Sequence, residues 1–170
     1  MKVSHSYIYI ISILLFLCSD NKIVEKNIET VVISLNKMKK WDCGTASQYH
    51  DFNKSYMMLL WLNVNSCIEC SMIQHDNYEE FAEIKGLRLT TVISVSKKYE
   101  ERLKYYLKSL RCNTAIFIDF YSTFANDNNS ISKLNPGVYL LDNNNHILIA
   151  GDPLINENIE TKYDQVLGGI

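Results

Sequence analysis

Two cysteines stand three positions apart in the stretch NSCIECSMIQ, Cys67 and Cys70, just after the apolar run YMMLLWLNV. Thiols at this spacing admit three kinds of chemistry. At the start of a helix the first thiol lies over free N–H groups and the positive end of the helix dipole, which favour its thiolate, while the second sits one turn on and can close a disulfide. In that reading Cys67 is the exposed nucleophile and Cys70 the resolving thiol. The second chemistry is a metal site. Zinc wants four ligands, and His75 follows Cys67 by eight residues with neither Cys43 nor Cys112 at a recognisable ligand spacing. No metal and no other cofactor is therefore expected, and His75 reads as a solvated helix residue. The third possibility is a static disulfide or two inert thiols.

A C-x-x-C gains meaning from the elements around it. The run Tyr56–Val64 is nearly all apolar and suits a strand buried on both faces. Residues 66–86 can be helical, with Ile68, Met72, Tyr78, Phe81 and Ile84 recurring at three-to-four spacing and Gly86 placed to stop the helix. Residues 87–96 alternate and are β-rich, residues 97–110 form an amphipathic helix with Tyr99, Leu103, Tyr106, Leu107 and Leu110 on one face, and residues 113–120 read as a short strand. A polar loop containing NDNNS follows, then Pro136, the run GVYLLD, the turn Asn143 to Asn145 and the run HILIAG, which together spell a hairpin. Residues 156–167 close the chain as a helix. Upstream, residues 30–36 are β-branched enough for a strand, and residues 37–55 read as a loop. The order of elements predicts an α/β fold with a central mixed sheet flanked by helices.

The chain has 170 residues and a net charge of -2, with acidic and basic residues interspersed. That length suits one globular domain, and the charge leaves no basic footprint for nucleic acid. The N-terminus departs from this average. Lys2 and His5 precede an apolar run over residues 7–17, and Cys18-Ser19-Asp20-Asn21-Lys22 turns abruptly polar. The run is shorter than the ~20 residues of a membrane-spanning helix but has the length of a signal-peptide core. A cysteine at the apolar-to-polar boundary resembles a bacterial lipoprotein signal, which implies lipidation of Cys18; a plain secretory signal and an uncleaved anchor are the alternatives. Each places the domain outside the cytoplasm, where disulfides persist. Cys112 reads as a small buried core residue, and Cys43 as a loop thiol able to form a second or mixed disulfide. The tyrosines, Trp41 and Trp61 read as packing.

The order of elements, the cysteine pair after the first core strand, and Pro136 followed by GVYLLD resemble the thioredoxin fold, and more narrowly the envelope-anchored thiol-disulfide oxidoreductases of the TlpA and ResA type. The resemblance implies thiol-disulfide exchange on envelope protein thiols or disulfides, with Pro136 facing the cysteine pair. It divides the chain into a signal or anchor (1–18), a tether with an N-terminal strand and loop (19–50) and a thioredoxin-like domain (51–170), placed in the bacterial cell envelope and held at the membrane through its N-terminus. Ser66, Ile68, Glu69 and Ser71 stand where that family carries an aromatic residue and a proline around its cysteines, and Trp61 stands where many members carry a buried acid. Glu69, between the thiols, is the nearest candidate proton acceptor for Cys70. Its charge opposes the helix dipole, which keeps the thiol pKa up and favours a reducing pair. A redox-silent thioredoxin-like module that binds another envelope protein is the alternative function.

Overall fold

The structure, a computed structural model, describes residues 32–35, 38–41, 55–64, 67–110, 114–129 and 137–168. Its elements are β1 (Lys39–Lys40), β2 (Tyr56–Val64), α1 (Ile68–Ile84), β3 (Arg88–Val95), α2 (Glu100–Leu107) entered through a 3-10 turn at Lys97–Tyr99, β4 (Ala115–Asp119), α3 (Thr123–Asp127), β5 (Val138–Asp142), β6 (Ile147–Ala150) and α4 (Glu157–Gly168). The six strands form one sheet in the order β1-β4-β3-β2-β5-β6. Pairing of β2 with β3 and of β3 with β4 is parallel, while β1 with β4, β2 with β5 and β5 with β6 are antiparallel. The mixed α/β sheet expected from the sequence is thus present. Parallel neighbours require crossover helices, and α1 and α2 fill that role.

The apolar run of β2 is explained by two cores, one on each face of the sheet. Side chains alternate across a strand, so Met58, Leu60, Leu62 and Val64 join a core with Ile68, Met72 and Phe81 of α1, Leu103 and Leu107 of α2, and Ile159 and Tyr163 of α4. Leu59, with Met57 and Trp61 at its margin, faces the other core, built from Ile33, Val92, Phe124, Tyr139, Leu141 and Ile147. A central strand so placed has no room for a polar face. The same holds for β3, buried at every position after Arg88, so its expected alternation of buried and exposed residues is replaced by burial on both sides. The hairpin forms where the turn residues placed it, with Asn145 in the left-handed region at φ 63 that Asn tolerates better than most residues. Gly137 leads into β5 close against β2: its carbonyl accepts the Trp61 N–H at 2.6 Å, and a Cβ there would lie 2.8 Å from the Trp61 carbonyl oxygen.

Several local expectations differ from what the chain does. Lys39 and Lys40 pair with Ile118 and Phe117 as an edge strand, although they lie in a stretch that reads as loop. Charged edge residues suit such a strand because they discourage further pairing. Of the strand expected over residues 30–36, the described part contributes one bridge, Val32 to His146, and Ile33 N–H to the Asn145 carbonyl at 3.0 Å. Within the expected polar loop, residues 123–127 form α3 and bury Phe124. Asn128, also expected in solvent, is buried and bridges segments, its side chain accepting from Ser34 N–H and donating to the Ser34 and Phe124 carbonyls. Ile84, expected on the core face of α1, is exposed.

The largest correction on α1 is His75, which is fully buried. It falls on the stripe of Ile68, Ser71, Met72, Tyr78 and Ala82, and helical period rather than polarity decides its side. Its Nε2 meets Thr114 Oγ1 at 3.3 Å and its Nδ1 lies 3.5 Å from Asp76 Oδ1. Burial pushes its pKa down from 6.5, with Asp76 opposing the shift. The unfolded chain therefore takes the proton more readily than the folded one. Stability contributed by the neutral ring is full above the unfolded pKa and is lost as the pH falls through and below it. Denaturant titrations of His75→Gln between pH 7.5 and about 5 should show a flatter acid loss of stability than the parent. An unchanged slope would show that His75 does not carry it.

Candidate functional site

The cysteine pair sits where β2 hands over to α1. Cys67 is the N-cap of that helix, extended at φ -132 and ψ 100, and its Sγ accepts the Cys70 backbone N–H at 3.2 Å. A sulfur in the N-cap position takes the place of the usual Ser or Asp oxygen. The Cys67 carbonyl accepts from Ser71, through N–H at 3.3 Å and through Oγ at 3.1 Å, so the first turn is closed from both sides. Cys67 and Cys70 are joined by a disulfide, with Cα atoms 5.4 Å apart. Cys67 is half-buried and Cys70 exposed. The pair therefore separates two properties expected together at Cys67: the helix N–H groups are at Cys67, and the greater exposure is at Cys70.

Glu69 occupies the second position of the helix, and its Oε2 lies 3.8 Å from Cys67 Sγ. In the disulfide the sulfur carries no proton, so this is a contact of a carboxylate with a polarisable atom; in the reduced pair it becomes a site for an S–H donor or a repulsive neighbour for a thiolate. The other oxygen, Oε1, accepts from the Tyr106 hydroxyl and from Arg102 Nη2 on α2. The Tyr106 hydroxyl, a backbone N–H at the helix start and the Arg102 guanidinium pull the Glu69 pKa down to about 2. Glu69 is then ionised across the working pH range, which makes it a poor proton acceptor for a thiol and a fixed charge instead. Neither Arg102 nor Tyr106 is singled out by the sequence. Tyr106 falls on the apolar face of an amphipathic helix and reads as packing, and no spacing rule ties either residue to Glu69 more than thirty positions away.

Trp61, at the position where an acid is common in the resembling family, donates its indole N–H to Ser94 Oγ at 3.0 Å, and Ser94 donates to Asp119 Oδ2 at 3.2 Å. Asp119 is a buried carboxylate on β4 that no motif in the sequence marks. It accepts the N–H groups of Tyr121, Thr123 and Phe124, which ties it to the start of α3. Pro136, Cys18, Cys43 and Cys112 lie outside the described residues. Among the described residues, His75, Asp76 and Glu79 on α1 form a grouping of metal-ligating types, with ligand atoms within 4.8 Å of one another, and neither thiol belongs to it. Among the same residues no helix is long and apolar enough to cross a membrane; the apolar run at residues 7–17 lies outside them.

The sheet order, the helices on its faces and the cysteine pair at the head of the first long helix make the fold thioredoxin-like. No protein-family model and no curated protein matches the chain. Among solved structures it is similar to an uncharacterized thioredoxin-like protein of Porphyromonas gingivalis, at 15% identity over 68% of this chain and 77% of that one, TM-score 0.46. It is similar to a protein described as a thiol:disulfide interchange protein DsbE of Chlorobium tepidum, at 15% identity over 68% and 82%, TM-score 0.46. A third likeness is to the exposed lipoprotein thioredoxin of Streptococcus pneumoniae, at 16% identity over 71% and 88%, TM-score 0.46.

Proposed function

We propose that the chain is a thiol-disulfide oxidoreductase of the bacterial cell envelope, tethered at the membrane through its N-terminus and acting as a reductant of protein disulfides. The observation that carries the reading is Cys67 at the N-cap, its sulfur taking the Cys70 N–H at 3.2 Å and lying within bonding reach of the second thiol. In the reduced state the Cys67 thiolate attacks one sulfur of a substrate disulfide, forming a mixed disulfide and releasing one substrate thiolate. Cys70 then gives up its proton to the first released substrate thiolate, directly or through solvent, and attacks Cys67 Sγ, forming the Cys67–Cys70 disulfide and releasing the second substrate thiolate. Two electrons pass to the substrate, and a thiol reductant must return them for a further cycle. Glu69 supports the direction, because an ionised carboxylate beside Cys67 disfavours the thiolate and so the reduced state. The resemblance, and not the described structure, is what supports Pro136 as a residue facing the pair.

Insulin reduction driven by dithiothreitol, together with equilibration against glutathione, tests the activity. Catalysed precipitation and a potential more negative than that of glutathione are expected. A pair that exchanges with glutathione but never turns over a protein disulfide would favour the binding-module reading. For the tether, the mature protein should fractionate with membranes and lose that behaviour on Cys18→Ser; a soluble mature chain beginning beyond Cys18 would overturn it.

A further inference from the structure

We propose that Arg102 and Tyr106 are positioning residues of the thiol centre: by gripping one oxygen of Glu69 they hold its other oxygen against Cys67 Sγ, and so set how readily that sulfur carries the thiolate charge. The inference rests on the redox reading above and extends it to a second helix. Glu69 is the second residue of α1, where its own backbone N–H bonds the carboxylate. A further hold comes from α2, where Arg102 and Tyr106 stand one turn apart and both donate to Oε1. With that oxygen engaged, Oε2 is directed to the thiol side, 3.8 Å from Cys67 Sγ.

Three charged or titratable groups thereby act on one sulfur with different signs. The Glu69 carboxylate opposes a thiolate. The Arg102 guanidinium offsets part of that charge, and the Tyr106 hydroxyl withdraws electron density from the carboxylate by hydrogen bonding. The helix N–H at Cys70 favours the thiolate independently of all three. Oxidation of the pair removes two electrons, together with whatever protons the two sulfurs carry at that pH, and delivers them to a disulfide. A change in the stability of the Cys67 thiolate therefore appears directly in the equilibrium, as long as the pH is high enough for Cys67 to be ionised. A lower thiol pKa stabilises the reduced form and makes the disulfide more oxidising; a higher one does the reverse.

Arg102→Gln removes the positive charge while Tyr106 still holds Glu69 Oε1, so it should leave the Glu69 charge less compensated, raise the pH at which Cys67 is half-labelled by iodoacetamide, and move the glutathione equilibrium toward the more reducing pair. Because the Arg102 and Glu69 side chains are 56% and 38% exposed, the expected shift in that equilibrium is about two- to fivefold, shrinking in high salt. Tyr106→Phe should move both readouts in the same direction by less, Arg102→Lys should restore most of the shift, and Glu69→Gln should move both the opposite way. Labelling is read peptide by peptide, so Cys43, Cys70 and Cys112 do not confuse it, and thermal stability is measured on the same variants. A stability loss in Arg102→Gln with both readouts at the parent value would overturn the proposal, showing that the clamp only fastens two helices together. So would a shift in Glu69→Gln alone, since Glu69 would then act without its holders. Both readouts are taken on the cysteine pair itself, so they stand even if insulin is not reduced, which is how failure of the redox reading is told apart.

Discussion

Replacing Cys67 by Ser should reduce insulin reduction by at least about a thousandfold, the scale of losing a covalent nucleophile, and replacing Cys70 by Ser should stop turnover just as completely but for a different reason. With Cys70 gone, Cys67 can still attack a substrate disulfide, and the mixed disulfide then has no internal thiol to resolve it. The Cys70→Ser protein should therefore accumulate as a covalent adduct through Cys67, recoverable by non-reducing electrophoresis and mass spectrometry, whereas Cys67→Ser should give little. The assignment is open to a sharp reversal because Cys70 is the more exposed of the two residues. Exposure favours attack from Cys70; the helix N–H and the N-cap position favour thiolate at Cys67. Exchange requires a thiolate, and its rate follows the thiolate fraction together with access, so the thiol stabilised as an anion is expected to lead. Adducts recovered from Cys67→Ser and not from Cys70→Ser would exchange the two roles.

Phe124→Ala should be among the most damaging single changes to stability, at about 3–5 kcal/mol of a total that for a domain of this kind is about 5–15 kcal/mol. Phe124 is 1% exposed and fills the core on the sheet face opposite α1, with its ring edge-on to Trp61 at 5.1 Å. The helix that carries it has five residues, too few to reorganise around a cavity on its own, and Trp61 is already held by Ser94 and Gly137. Thermal unfolding should move down by roughly 10 °C, while glutathione exchange at a temperature where the variant is folded stays close to that of the parent, since the thiols head α1, whose buried face packs in the other core. A loss below about 1 kcal/mol, the range of a tolerated core swap, would show that α3 is not part of the cooperative unit.

The elements whose patterning lies within one stretch of chain were legible without a structure. The buried strand Tyr56–Val64, the helix that follows with its cysteines at the start, the hairpin across Asn143 to Asn145 and the closing helix all stand where apolar period and turn residues put them, because period and turn chemistry are properties of neighbouring residues. The same local information places Cys67 at the helix start and makes thiol-disulfide exchange the leading chemistry. What it could not supply are contacts between residues far apart in the chain. Lys39 and Lys40 read as loop because two charged residues carry no strand signal, and they become a strand only by pairing with β4. Phe124 sits in a stretch rich in Asn and Asp, and one aromatic there has no periodic partner; its burial follows from Asp119 anchoring the start of a short helix over the second core. His75 had a local signal, its place on the buried stripe of α1, which residue polarity obscured. Glu69 was visible as a charge between two thiols, but whether that charge stands alone or is shared depends on where the crossover lays α2. Packing of α2 against α1 brings Arg102 and Tyr106 to its carboxylate from 33 and 37 positions away, and a sequence has no period of that length from which to read them.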